Sequence, residues 1–255
     1  MNKNNRPQRL LSLDALRGFD MLFIMGLSGL IINLAALAPD CAIASWFAEQ
    51  MRHVAWDGFA HHDTIFPLFL FIAGVSFPFS LSKQQQSGLS NREIVLKILK
   101  RGAILILLGI LYNGFFKMQF ETLRFPSVLG RIGIAWAAAA LLTLYLKPKT
   151  RAIFCAVILV GYSLLLTIPA PDAVGFSAWS EDGNIAGYVD RLLMPDHILW
   201  RGVMDPEGIV SNLSAIVTAM LGMFAGEYLL NSSHSGGHKV ATMAVCAVIL
   251  LAAGL

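Results

Sequence analysis

The chain has 255 residues, of which 56 % are hydrophobic and only 14 % charged, and its formal net charge is +3. Soluble domains carry roughly 25 % charged residues, so an ordinary soluble globular domain is excluded. An excess of positive charge this small gives no reason to expect a nucleic-acid partner. Mean hydropathy is +0.64, and apolar runs near the length of a bilayer span, roughly 20 residues, recur along the chain. The predicted fold class is all-α: a polytopic transmembrane helix bundle of about seven helices in a lipid bilayer. A membrane β-barrel would show short alternating segments instead.

Residues 1–13 read as a polar, basic tail, with residues 14–255 forming the membrane domain. Helix 1 is expected over 14–38, opened by Ser12-Leu13-Asp14 as a cap. It has no small-residue cleavage site and is expected to be retained rather than removed as a signal peptide. A loop over 39–62 holds Pro39 and a His/Asp cluster, and helix 2 follows over 63–82. A polar stretch over 83–101 precedes a short helix 3 over 102–116. The connection 117–125 leads to helix 4 over 126–146, with Pro126 in its first turn. Lys147-Pro148-Lys149 reads as a tight turn before helix 5 over 151–168. A long polar loop over 169–208 precedes helix 6 over 209–230. After a flexible turn over 231–239, helix 7 starts near 240 and reaches Leu255 without a cap or polar tail, so the chain is expected to be truncated.

Basic residues set the expected orientation. Segments 1–17, 83–101, 147–151 and 231–239 hold thirteen of the nineteen Lys and Arg residues, whereas 39–63, 117–125 and 169–208 hold five. The amino terminus is therefore expected in the cytoplasm and the loops 39–62, 117–125 and 169–208 outside it, which in a bacterial inner membrane means the periplasm. Cys41, Cys155 and Cys246 are far apart and form no C-x-x-C, so neither a disulfide framework nor a zinc site is expected.

Chemistry-bearing residues concentrate between His53 and Asp63, where His53, Asp57, His61, His62 and Asp63 end against an apolar run. A histidine serves as base or acyl carrier near neutral pH, and a nearby carboxylate orients it. An aspartate at the start of a membrane helix is a functional candidate by default. The other reading is a solvated loop whose polar residues mark the interface, with Trp56 in the aromatic belt. His61 and His62 are adjacent and match no metal spacing, so no metal is expected. Arg17, near Asp14 and Asp20, suits either an anionic ligand or snorkelling. Arg131 lies a turn into helix 4 and needs a partner such as Asp63, Glu207 or a substrate. Asp205 and Glu207 lie just before helix 6, where they suit a sugar or a helix cap.

Several collinear stretches resemble one family. They are Leu11-Ser-Leu-Asp-Ala-Leu-Arg-Gly18, His53-Val-Ala-Trp-Asp-Gly58, Asp63-Thr-Ile-Phe-Pro-Leu-Phe-Leu-Phe-Ile-Ala-Gly74, Arg124-Phe-Pro-Ser-Val-Leu-Gly-Arg-Ile-Gly133, Gly187-Tyr-Val-Asp-Arg-Leu-Leu193 and Asp205-Pro-Glu-Gly208. Over roughly residues 10–230 the chain is similar to heparan-α-glucosaminide N-acetyltransferase and its bacterial relatives. The resemblance implies an enzyme that takes acetyl from cytosolic acetyl-CoA to an amino sugar or glycan on the far side. It implies His53 as the active-site histidine, acting as base or acetyl carrier. This chain has Asp57 where the family has Asn, and Ser28 in place of an Asn of the first helix. The family continues for several helices past residue 255.

The resulting expectation is catalysis by His53, Asp63 and Asp57, acetyl-CoA binding by Arg17 and Arg131, and acceptor binding by Asp205 and Glu207, with a homo-oligomer allowed. Alternatives are a transporter or channel with Arg131, Asp63 and Glu227 along its path, or a non-catalytic membrane subunit. His61 and His62 are assigned no role.

Overall fold

The computed structural model describes residues 11–114, 123–195, 198–199, 202–231, 233 and 235–254. The expected tail up to residue 10, and most of the 117–125 connection, lie outside the described residues.

Helix 1 is built in three parts: α1 (Leu11–Leu22), a π-helical turn (Phe23–Leu27) and α2 (Ser28–Ala35). Ser12 lies inside α1, so it is not the cap expected from sequence. Gly26 sits at φ +132°, a conformation that side-chain-bearing residues avoid, and this is what lets the helix open locally. The remaining helices are α3 (Ala42–Gln50), α4 (His61–Gln86), α5 (Asn91–Asn113), α6 (Val128–Tyr145), α7 (Pro148–Leu166), α8 (Ile185–Leu193), α9 (Asn212–Leu230) and α10 (Gly236–Gly254). Among the described residues five segments are long and apolar enough to cross a membrane: 11–35, α4, α6, α7 and α9. The protein is an integral membrane helix bundle.

Several boundaries differ from the sequence reading. The third helix is not short: α5 starts at Asn91, because Ser90 and Glu93 form a reciprocal capping box. Pro126 precedes α6, whose cap is Ser127, its Oγ accepting from the Gly130 N–H at 2.9 Å. Pro148 is the first residue of α7 rather than the middle of a turn. α10 starts at Gly236, inside the expected flexible turn. The loops 39–62 and 169–208 contain short helices, α3 and α8, that apolar runs of bilayer length could not reveal.

α4, α6 and α9 form the centre of the bundle, and α5 packs on α6. Leu70, Trp136, Ala139, Met220 and Met223 lie in their shared core. α4 and α9 approach so closely that a Cβ on Gly74 would overlap the Ala219 carbonyl oxygen, and one on Gly222 would overlap that of Phe71. Small residues at such a seam let membrane helices pack backbone to backbone. Gly222→Val is expected to cost about 3 kcal/mol, the upper range for overpacking, because backbone rather than a movable side chain blocks it. A thermal melt followed by size-exclusion chromatography checks this.

α4, α6 and α9 start at one end of the bundle, here the His53 end, while α5, α7 and α10 start at the opposite end. At that opposite end the buried Arg151 of α7 donates to both Glu227 carboxylate oxygens at 2.8 and 2.9 Å and to Thr143 Oγ1 at 3.2 Å.

Candidate functional site

At the His53 end, the first turn of α4 carries Asp63. Its Oδ2 accepts from the Ala60 N–H at 3.1 Å, so the carboxylate caps the helix that presents it. Its Oδ1 lies 2.7 Å from Nδ1 of His53, which arrives on the loop after α3. When Nδ1 carries the proton and donates it to Asp63, Nε2 is left with a lone pair. A base held by a carboxylate is the arrangement general-base or acyl-carrier chemistry requires. The His53 side chain is 72 % exposed, open to a substrate from the loop side.

His62 does not stand apart from this pair. Its ring packs edge-on to His53 at 4.5 Å, and its Nδ1 lies 3.2 Å from Ser28 Oγ on helix 1. Ser28 directly follows the π-helical turn of helix 1. Adjacent histidines gave no helical-face signal in sequence, and only the tertiary packing of helix 1 on α4 brings His62 into the group.

Asp57 lies four residues past His53, on the wall of a cavity of about 480 Å³. Trp56, Tyr162, Trp179, Asp190 and Asp205 also line it. Trp56 Nε1 donates to the Trp179 carbonyl at 2.7 Å and so joins the His53 loop to the 169–208 segment. Among the described residues the Asp57 carboxylate has no hydrogen-bond partner, so it faces this cavity available to a ligand. Trp179 and Tyr162 were missed in sequence, where nothing distinguished them from interfacial or core aromatics. Asp190 lay within a recognised motif but had no assigned role.

Asp205 and Glu207 stand differently from each other. Arg124 grips Asp205 in a bidentate pair, Nε to Oδ2 and Nη2 to Oδ1, each at 2.6 Å, and Nη2 also donates to Glu207 Oε2. Asp205 lines the cavity with both oxygens engaged, whereas Glu207 sits behind it against Arg124. Burial pushes the Glu207 carboxyl above the usual carboxylate range, with Arg124 opposing. Hydrogen bonding to Asp205 raises Arg124 above its ordinary value. Asp190 is buried and accepts from the N–H groups of Asp205 and Ile209 at 3.2 and 3.0 Å, which fixes the Asp205–Gly208 turn. Burial also raises the Asp190 carboxyl, partly offset by those two bonds.

Arg131 belongs to this same end. It donates to the carbonyls of Pro206 and Ser211, each at 3.0 Å, and lies over the Phe66 ring at 5.0 Å. Its acidic neighbours are Glu207 and Asp205 rather than Asp63. Arg17 is elsewhere: it donates to Asp14 at 3.2 Å and to Ser76 Oγ at 3.0 Å. The two arginines assigned to one ligand therefore lie in different sites. Ser76 lines a second cavity, of about 290 Å³, with Lys97, Arg101 and Trp136. Arg101 stacks on Trp136 at 4.2 Å, so two cationic side chains and Arg17 gather around this cavity. Lys97 and Arg101 were read in sequence only as orientation signals.

Asp63, Arg131 and Glu227 are each engaged by a different partner, His53, the 206–211 backbone and Arg151 respectively. Among the described residues no group of three or more His, Cys, Asp or Glu side chains has a metal-holding arrangement.

No protein-family profile matches the chain. It is 28 % identical over 274 residues to heparan-alpha-glucosaminide N-acetyltransferase of Homo sapiens, an alignment covering 88 % of this chain and 39 % of that protein. It is 27 % identical over 229 residues to the protein of the same name from Mus musculus, covering 70 % of this chain and 35 % of that protein. The chain thus spans well under half the length of either relative. The family resemblance read from the motifs is matched by these alignments: over most of its length this integral membrane protein is similar to heparan-alpha-glucosaminide N-acetyltransferases.

Proposed function

We propose that this protein is a transmembrane acetyltransferase that moves acetyl from cytosolic acetyl-CoA to the amine of an amino sugar or glycan on the extracytoplasmic side. The observation that carries this reading is the His53–Asp63 pair at 2.7 Å beside an acid- and Trp-lined cavity. The similarity to named N-acetyltransferases supports the same reaction class.

On this reading the His53 end is extracytoplasmic and the amino terminus is cytoplasmic, as the distribution of Lys and Arg favours. His53 removes a proton from the acceptor amine, or takes up the acetyl group first. Asp63 orients the ring and stabilises its cation. Trp56 and Trp179 supply flat apolar faces for a sugar ring, and Asp57 attracts an ammonium group. Asp205 and Glu207 shape the acceptor wall, and Arg131 lends positive potential to the developing oxyanion. The cavity with Lys97 and Arg101, beside Arg17, fits the phosphate-bearing end of acetyl-CoA, since cations on an aromatic wall suit an anionic adenine nucleotide. Acetyl-CoA supplies the activated acyl group.

The test is transfer of radiolabelled acetyl from acetyl-CoA by the purified chain in proteoliposomes, against amino sugars, muropeptides and heparan fragments. Labelled product is expected with acceptors bearing a free amine. Passage of unmodified sugar without consumption of acetyl-CoA would identify a transporter instead.

A further inference from the structure

The cavity beside the His53 loop is lined by three aspartates, and their oxygens are not equally free. Arg124 takes both oxygens of Asp205, and Oδ1 also accepts from the Glu207 N–H at 2.8 Å. Asp190 has one oxygen on the Asp205 N–H and the other on the Ile209 N–H. Neighbours on the same wall are engaged in the same way. Asn184 donates to the Glu181 carbonyl and accepts from the Gly187 N–H, and the Ser211 hydroxyl donates to the Gly208 carbonyl. Asp57 differs: neither of its oxygens has a hydrogen-bond partner among the described residues. The Tyr162 hydroxyl on the same lining also has none among them.

A carboxylate with open lone pairs accepts hydrogen bonds and offers none, so its partner on a ligand is a hydroxyl or, more strongly, an ammonium. The nearby arginines do not turn this wall toward anions. Arg124 is held by Asp205 and Glu207, Arg131 by the Pro206 and Ser211 carbonyls, and Arg191 by Asp172 and the Val203 carbonyl. None of these three lines the cavity.

The amine that reacts is not the one that suits Asp57. Attack on a thioester needs a nitrogen with a free lone pair, whereas a carboxylate beside an amine favours its charged form. Asp57 would therefore oppose the reaction if it gripped the reacting nitrogen. Asp57 lies four residues past His53, so their Cα atoms are at most about 14 Å apart, within reach of one short oligosaccharide. Trp56, fixed by its 2.7 Å bond to the Trp179 carbonyl, provides with Trp179 the apolar faces against which linked sugar rings can lie.

We propose that the acceptor is an amino-sugar oligomer with at least two free amines, one delivered neutral to His53 and another held as an ammonium by Asp57; this rests on the acyl-transfer reading above. Tyr162 takes a ring hydroxyl of the same ligand. A disaccharide acetylated once keeps a single amine and can satisfy only one of the two positions, so transfer to it slows after the first acetyl group.

The test compares the β-1,4-linked glucosamine disaccharide with the same disaccharide carrying an acetyl group on either nitrogen. Tryptophan fluorescence of the purified chain in proteoliposomes without acetyl-CoA reads binding, and mass spectrometry with acetyl-CoA reads transfer. The diamine is expected to bind about tenfold tighter than either monoamine, and its singly acetylated product to accumulate. Asp57→Asn should shrink that preference to about twofold or less, and Asp57→Glu should keep most of it. Asp57 is exposed and has no partner to lose among the described residues, so these variants are expected to fold. Equal binding of diamine and monoamines, or a preference that survives Asp57→Asn, would overturn the proposal. Acetyl transfer to both kinds of acceptor with equal KM would remove only this proposal. A tenfold binding preference abolished by Asp57→Asn, with acetyl transferred to neither, would remove the acyl-transfer reading and keep Asp57 as the site of an amino-sugar ammonium.

Discussion

Replacing His53 with alanine is expected to lower acetyl transfer about 1,000-fold, and Asp63→Asn about 100-fold, within the range for a positioned proton-transfer group. The two effects have different origins. Alanine removes the base itself. Asparagine keeps an oxygen able to cap α4 through the Ala60 N–H, so the helix start survives. What it loses is the negative charge 2.7 Å from His53 Nδ1, which orients the ring and stabilises its cation once a proton is taken. Asp63→Ala would lose the cap as well and should cost a further ~1 kcal/mol of stability. Initial rates in proteoliposomes, with donor KM measured alongside, separate these cases. Both losses should fall on kcat, with KM for acetyl-CoA changed by about twofold or less, because neither side chain belongs to the cationic cavity. Normal transfer by His53→Ala would remove His53 from the chemistry altogether.

How much of this was legible beforehand follows from which contacts are local. Membrane helices announce themselves by apolar runs, so α4, α6, α7 and α9 fell close to their observed positions. Asp63 is read from sequence because a carboxylate at the start of an apolar helix is conspicuous, and His53 because a recognised motif contains it. The Ser90–Glu93 capping box was equally local, yet the basic residues after it masked the early start of α5. Other features depend on packing between distant segments. Arg131 needed an acidic partner, but only the fold decides that it faces the 206–211 turn instead of Asp63. Arg17 and Arg131 shared a role in sequence because nothing there measures the depth of a side chain in a bundle. Phe23 and His61 meet only because helix 1 packs against α4, and neither residue hints at the other from its own position. α8 is short and lies within a polar loop, so length-based reading passes over it, although Asn184 caps it through the Gly187 N–H at 2.6 Å.

Arg124→Gln should have the largest effect on stability at the His53 end. The Asp205 side chain is 0 % exposed and Glu207 15 %, and Arg124 is their shared cation. Removing one partner from a buried ion pair leaves an uncompensated charge and typically costs 3–5 kcal/mol. Because Arg124 is 26 % exposed, a loss of about 3 kcal/mol is expected here. The pH dependence fixes the cause. Burial already raises the Glu207 carboxyl, and Arg124 opposes that rise. Without Arg124 the folded-state value rises further above the unfolded value of about 4.3. A carboxyl raised in the folded state favours folding fully below its unfolded value and loses that contribution as pH rises through the folded value. The variant should therefore melt closest to the unaltered protein in acid and fall away from it as pH increases. Thermal melts of both proteins across that range check the sign. A deficit independent of pH would mean that Arg124 acts through packing and its backbone neighbours rather than by neutralising Asp205 and Glu207. The acceptor cavity gives the result its functional weight, since Asp205 lines it and Asp190 holds the turn that presents Asp205. Loss of the Arg124 clamp should accordingly raise KM for the amine acceptor while leaving KM for acetyl-CoA unchanged, because the cationic cavity at Lys97 and Arg101 shares no residue with this cluster.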